Sequence, residues 1–238
     1  MEFSYSSEQQ MIKQMLKDFC EKEIAPISSE IDEKAIYPYE TIAKLAEMGL
    51  MGMPFPKEYG GVGSDYLTYI MAIEEISKVD ASHGVIIQTH NALCCWPIFT
   101  YGTEEQKKKY LPELLSGKHL GAFGLTEPNA GSDAAGIETK AVLEGDEWVI
   151  NGSKIFISGG GIADIYVIMA MTDKSKGTKG ISAFIVEKGT PGFTSPKREN
   201  KMGIRASIAA ELVFEDCRIP KENLLGQVGG GFKVAMSS

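Results

Sequence analysis

The residues best suited to chemistry lie in the run Phe123–Asp133, FGLTEPNAGSD. It begins apolar, as a strand leaving a packed core does, and turns through Thr126, Glu127 and Pro128. It ends in the small residues Asn129, Ala130, Gly131, Ser132 and Asp133. A Gly-containing turn that offers bare backbone amides and hydroxyls suits an anionic ligand, because no side chain obstructs the approach of phosphate oxygens. Alone, the same run is also an ordinary strand exit; its neighbours along the chain decide between the two.

Other chemically suggestive residues carry less. His90 and Cys94 share a helical face at i,i+4, but two soft ligands do not make a metal site, and Cys20, Cys94, Cys95 and Cys217 contain no Cys-x-x-Cys pair. Unpaired thiols of this kind suit a reducing, cytoplasmic setting. Gly60, Gly61 and Gly63 lie in the Pro- and Gly-dense loop Met51–Asp65, with no Gly-Lys-Ser/Thr and no leading apolar strand, so no phosphate loop is expected. Glu74 and Glu75 are adjacent acids on a helix, with nothing nearby to single them out for acid–base work. Lys174, Lys176 and Lys179 cluster in a turn, where solvated lysines are common.

The elements that must position these residues fall into two textures. Up to about residue 117 the spacing is helical. Ser7 with Gln10 forms a capping pattern; Met11, Ile12, Met15, Leu16, Phe19, Cys20 and Ile24 make a core stripe, and Pro26 is the expected stop. Further helices are expected over Tyr37–Gly49, Leu67–Val79 and, capped by Thr103 with Gln106, up to Leu115. The segment Ala81–Tyr101 is apolar almost all round and therefore buried, so its polar residues His83, Gln88, Thr89, His90 and Asn91 need partners in the core or at a cavity wall. From Lys118 the period becomes two: strands are expected at Leu120–Leu125, Thr139–Leu143, Glu147–Ile157, Ile165–Met171, Ile181–Val186 and Glu211–Phe214, separated by turn residues, as in a sandwich or barrel. After the flexible joint Gln227–Gly231, one helical turn leads to Ser238. A single turn cannot stabilise itself, so a further helical region is expected beyond it.

Composition bounds the function. The 238 residues, 43% hydrophobic and 24% charged, have the make-up of a soluble globular protein. A formal charge of −8 argues against a general nucleic-acid or anionic-membrane role. The N-terminal MEFSYSSEQQ has no basic region followed by an apolar run, so no signal peptide is expected, and no apolar run approaches a membrane span.

Five stretches in order, FGLTEPNAGSD, NGSKIFISGG (Asn151–Gly160), KGISAFIVE (Lys179–Glu187), KMGIRAS (Lys201–Ser207) and LVFEDCRIP (Leu212–Pro220), make the chain resemble the acyl-CoA dehydrogenase family of flavoproteins. TEPNAGSD and MAMTDKSKG (Met169–Gly177) are most similar to the bacterial short-chain, or butyryl-CoA, dehydrogenases. The resemblance implies an α+β, multi-domain chain: an N-terminal α-helical domain at 1–117 and a middle β-barrel domain at 118–226 that binds FAD. Residues 227–238 would begin a C-terminal helical domain that is otherwise absent. It implies a first flavin-binding segment containing Phe123, Gly124, Leu125, Thr126 and Ser132, and a second of Phe156, Ile157 and Ser158. Thr126 would bond the pyrimidine end of the ring, and Ser158 would lie near the ring nitrogen that accepts hydride. Ser132 would meet the pyrophosphate and, with Lys179, the CoA; the Val85–Leu93 helix would wall the acyl pocket. Many members carry Trp and Thr where Phe156 and Ser158 stand; Phe keeps the aromatic face without the indole donor, and Ser keeps the hydroxyl.

The reaction implied is α,β-dehydrogenation of a short-chain acyl-CoA to the trans-2-enoyl-CoA, with an electron-transferring flavoprotein as acceptor and a homotetramer as the usual assembly. The family's base is a glutamate of the C-terminal domain to which no residue here corresponds, and the position of Glu127 is not used as base. No catalytic residue is therefore assigned. Branched-chain or glutaryl-CoA dehydrogenase, oxidase and enoyl-CoA reductase chemistry stay open, as does a non-catalytic flavin or acyl-CoA binding module.

Overall fold

The structure, a computed structural model, describes residues 4–238; Met1–Phe3, the start of the segment considered for a signal peptide, lie outside the described residues. Helices α1 (Ser7–Phe19) and α2 (Ala25–Lys34) run on into one another, because Cys20–Ile24 between them is π-helical. The expected stop at Pro26 does not occur. Proline lacks an N–H and crowds the carbonyl one turn back. Here the ladder widens just before it, the Ala25 N–H reaching the Cys20 carbonyl, so Pro26 falls in the first turn of α2, where no intrahelical donor is required. The same device recurs around Pro97, where α5 (Ala81–Gln88) and α6 (Trp96–Tyr101) flank the π segment Thr89–Cys95.

The first capping box is Ser6 with Gln9, one residue earlier than expected, while Thr103 with Gln106 opens α7 (Glu104–Leu115) as expected. Between these lie α3 (Tyr39–Glu47), followed by Gly49 at φ 84°, and α4 (Tyr66–Val79), capped by Asp65. Leu16, Cys20 and Ile24 make one i,i+4 row and pack with Leu45, Ala72, Ile76 and Ile87. Met11, 72% exposed, and Met15, 47% exposed, were expected in this core but belong to a row turned aside from it; Ile70 of α4 is likewise exposed.

The second half is one mixed sheet of β1 (Gly121–Gly124), β2 (Lys140–Glu144), β3 (Glu147–Ser158), β4 (Ile165–Met171), β5 (Ile181–Glu187), β6 (Phe193–Thr194), β7 (Ala209–Pro220) and β8 (Leu224–Leu225). The order is β6-β7-β3-β2-β4-β5-β8, with β1 added parallel to β4. The two-residue strands β6 and β8 carry no period-two signal, and β7 outruns the expected Glu211–Phe214. Only the pair Lys140–Met171 joins β2 to β4. Even so, Ala141, Trp148 and Leu212 on one side of that seam share a core with Tyr166, Ile168 and Phe184 on the other, so the sheet curls around its own interior. β4 is buried along its whole length. Its alternate residues Ile165, Val167 and Met169 join Leu111, Leu114 and Ile98 in a second core that fastens the sheet to the helices. Beyond β8, α8 (Gly231–Met236) lies on β5, and Gly231 permits the approach: a Cβ there would fall 2.4 Å from the Ser182 carbonyl carbon.

Candidate functional site

The Phe123–Ser132 run and the end of β3 lie side by side. The Ile155 N–H donates to the Thr126 carbonyl at 2.9 Å, and a Cβ on Gly159 would sit 3.5 Å from the Ala122 Cβ. This pairing takes Ile155 and Phe156 out of the β3–β7 ladder, whose register shifts between Lys154 and Ile157. The result is a bulge, which bends a strand and re-aims a side chain. Phe156 adopts φ 59°, a conformation rare for a bulky L-residue, and is 62% exposed. Thr126 and Ser158 on either side are partly exposed and Ser132 is exposed. Among the described residues none of these three hydroxyls has a hydrogen-bond partner in the protein.

The inward residues hold this surface in place. Gly124 is buried where a Cβ would collide with Ile168 Cδ1 at 2.6 Å. Phe123 and Leu125 are half-buried against the core shared with the helices, and Ile157 is buried in the interior of the sheet. Beneath them lies a pair that the sequence analysis did not single out. Lys154, 0% exposed, donates through Nζ to Glu127 Oε1 at 2.6 Å and to the Leu125 carbonyl at 3.1 Å. The Glu127 carboxylate accepts in addition from the Glu138 and Thr139 amides. Burial works to raise the Glu127 carboxyl, but the Lys154 ammonium and these donors outweigh it and hold the group below its usual range. Burial pushes the Lys154 ammonium below the usual lysine range against the pull of Glu127. A lysine at an inward position of a strand, paired with an acid in the facing loop, is the signal that could have revealed them.

Within Ala81–Tyr101, His83, His90 and the Asn91 amide nitrogen find core partners, whereas Ser82 Oγ and Asn91 Oδ1 are buried without one among the described residues. His90 Nε2 lies 3.1 Å from the Leu114 carbonyl, and its Nδ1 accepts from the Gly121 N–H at 3.0 Å. Asn91 Nδ2 donates to the Leu50 carbonyl at 2.9 Å, and His83 bridges Thr41 and Asp80. Ile86 and Ile87 of the Val85–Leu93 stretch pack in the helical core. Lys179 is exposed on the turn Lys174–Gly180, and its carbonyl packs against Gly229 of the joint. The structure thus brings Phe123–Thr126 and Phe156–Ser158 together and places Lys179 on a separate turn. The four cysteines are buried and free, and among the described residues no group of three His, Cys, Asp or Glu could hold a metal ion.

An exposed aromatic face beside hydroxyls with no protein partner, on a backbone held rigid from below, fits a planar, hydrogen-bonding ring with an anionic tail. Comparison with known proteins points the same way. The family description "Acyl-CoA dehydrogenase, N-terminal domain" matches residues 6–118, and "Acyl-CoA dehydrogenase, middle domain" matches residues 122–217. A short-chain-specific acyl-CoA dehydrogenase of Clostridium acetobutylicum is 56% identical over 238 residues, all of this chain and 63% of that protein. The butyryl-CoA dehydrogenase structure from Megasphaera elsdenii superposes with a TM-score of 0.96 at 51% identity, covering 99% of this chain and 63% of that one. A chain solved in work on the electron-transferring flavoprotein of Acidaminococcus fermentans and flavin-based electron bifurcation gives 0.97 at 55% identity, covering 100% and 62%. The chain therefore spans a little under two thirds of the relatives it matches. It belongs to the acyl-CoA dehydrogenase family, of which it carries the N-terminal and middle domains.

Proposed function

We propose that the protein carrying this chain is an FAD-dependent short-chain acyl-CoA dehydrogenase acting on butyryl-CoA-like thioesters, with an electron-transferring flavoprotein as electron acceptor. The observation that carries the proposal is the paired surface of Phe123–Thr126 and Phe156–Ser158, with its strained, exposed Phe156 and free hydroxyls. The FAD, when bound, would supply the hydride acceptor that this dehydrogenation needs. Phe156 offers an aromatic face to the ring, Thr126 and Ser158 offer hydroxyls to its polar edge, and Ser132 offers a hydroxyl to the pyrophosphate and the CoA. Lys179 offers a cation to the CoA from its turn. Removing the proton beside the thioester needs a positioned base and a stabilised enolate oxygen; no residue of this chain is assigned as that base. A homotetrameric, cytoplasmic enzyme completes the proposal.

The test is anaerobic titration of the full-length protein. It should purify yellow, and butyryl-CoA should bleach the flavin without oxygen. A colourless protein that cannot be reconstituted with FAD would remove the cofactor. Bleaching only by branched or dicarboxylic thioesters would remove the short-chain assignment, and flavin uptake with no bleaching by any acyl-CoA would leave a binding module.

A further inference from the structure

We propose that the buried Glu127–Lys154 pair is the positioning device of the flavin-facing segment, fixing the Leu125–Thr126 backbone and the neck of the loop that presents Ser132. The proposal rests on the flavin reading of this surface. Its geometry is specific to the loop. Along β3, Lys154 points inward two residues before Phe156 points outward, so one short stretch supplies both an anchor and the displayed ring. The lysine stem reaches the anchor point past Gly124, where a Cβ would fall 3.4 Å from Lys154 Cγ. Its ammonium then holds the Leu125 carbonyl and Glu127 together. The Glu127 carboxylate in turn ties the Glu138 and Thr139 amides, so both ends of the loop carrying Ser132 are gathered on one side chain. Apolar residues could fill the same volume, but they could not gather two amides and a carbonyl from separate segments.

The experiment compares the full-length wild-type protein with its double variant Glu127→Gln/Lys154→Met, since Lys154→Met alone strands a buried carboxylate and risks unfolding. Amide hydrogen exchange is followed in the FAD-free proteins, and FAD affinity and the flavin absorption envelope after loading. We expect the double variant to keep its far-UV circular dichroism and its β4–β5 protection. Exchange at Leu125–Thr139 should accelerate at least tenfold, FAD should bind at least tenfold more weakly, and the flavin band should lose fine structure. Glu127→Gln alone strands the buried Lys154 ammonium and, like Lys154→Met, risks unfolding, so the double variant decides. Loop protection and FAD affinity within threefold of wild type would overturn the proposal, as would acceleration spread evenly through the sheet. A full-length wild-type protein that takes up no FAD would count against the flavin reading, and exchange alone would then decide on the pair.

Discussion

Phe156 holds an unfavourable backbone conformation and is largely exposed to water. Neither serves the stability of the fold, and together they mark a residue kept for something that binds. Replacing it by glycine should therefore separate stability from binding. Glycine takes φ 59° without strain, and little buried surface is lost. We expect Phe156→Gly to raise unfolding stability by about 1 kcal/mol in urea titration of the FAD-free chain, while weakening FAD binding. The neighbouring buried pair behaves in the opposite sense: Lys154→Met alone should cost about 3–5 kcal/mol, because it leaves the Glu127 carboxylate uncompensated. The motif containing these residues was legible in the sequence, but their postures were not. Period two predicts a regular strand through Phe156, and only the competing bond from Ile155 to Thr126 makes the bulge. Glu127 looks in sequence like one more acid in a polar loop; its burial follows from a lysine 27 residues away.

Among the elements, the π segment Thr89–Cys95 connects the helices to the sheet, with His90 and Cys94 both reaching it. His90 Nδ1 accepts from Gly121 at the start of β1, so Nε2 carries the proton and donates to Leu114 at the end of α7. The backbones are close enough that a Cβ on Gly121 would lie 2.5 Å from the Cys94 Cβ and Sγ; Gly121→Ala should therefore part this junction and lower the melting temperature markedly. Protonating His90 would abolish the acceptor that Gly121 uses, and burial pushes its pKa down from 6.5 to about 4. The sign follows from linkage. Between pH 6.5 and 4 the unfolded chain binds a proton on His90 that the folded chain refuses, so stability rises with pH across that window. On acidification, roughly 3 kcal/mol should be lost between those limits, and His90→Asn should flatten this part of a urea-midpoint profile. The apolar run showed a buried helix and a need for partners at His90. It could not show the widened ladder, because π-turns arise from how a helix accommodates Pro97 and its packing, and carry no period of their own.

At the scale of the molecule, the change from helical to period-two spacing near Gly117 was legible, whereas the order of the strands was not. Alternation tells which face a side chain takes, not which strand lies beside it, and β4, buried on both faces, shows no alternation at all. What fastens the helices to the far edge of the sheet is a side chain whose sequence role seemed complete. Gln106 closes the capping box of α7 by accepting from the Thr103 N–H, and the same amide donates through Nε2 to the carbonyls of Glu222 at 2.7 Å and Leu224 at 2.9 Å. Asn223 between them donates to the Ile185 carbonyl at 2.8 Å, so β8 and the turn before it are held by two amide side chains. Two substitutions divide the roles of Gln106. Glutamate keeps an oxygen for the Thr103 N–H and suits the positive end of a helix, so a purely capping role predicts that Gln106→Glu is neutral or stabilising. It also turns a carboxylate toward two carbonyls that lose their donor, so a fastening role predicts a loss of about 2 kcal/mol or more. We expect the loss, together with faster amide exchange confined to Leu224–Leu225 and the Gln227–Gly231 joint. A Gln106→Glu protein as stable as wild type, with β8 still protected, would reduce the residue to its cap.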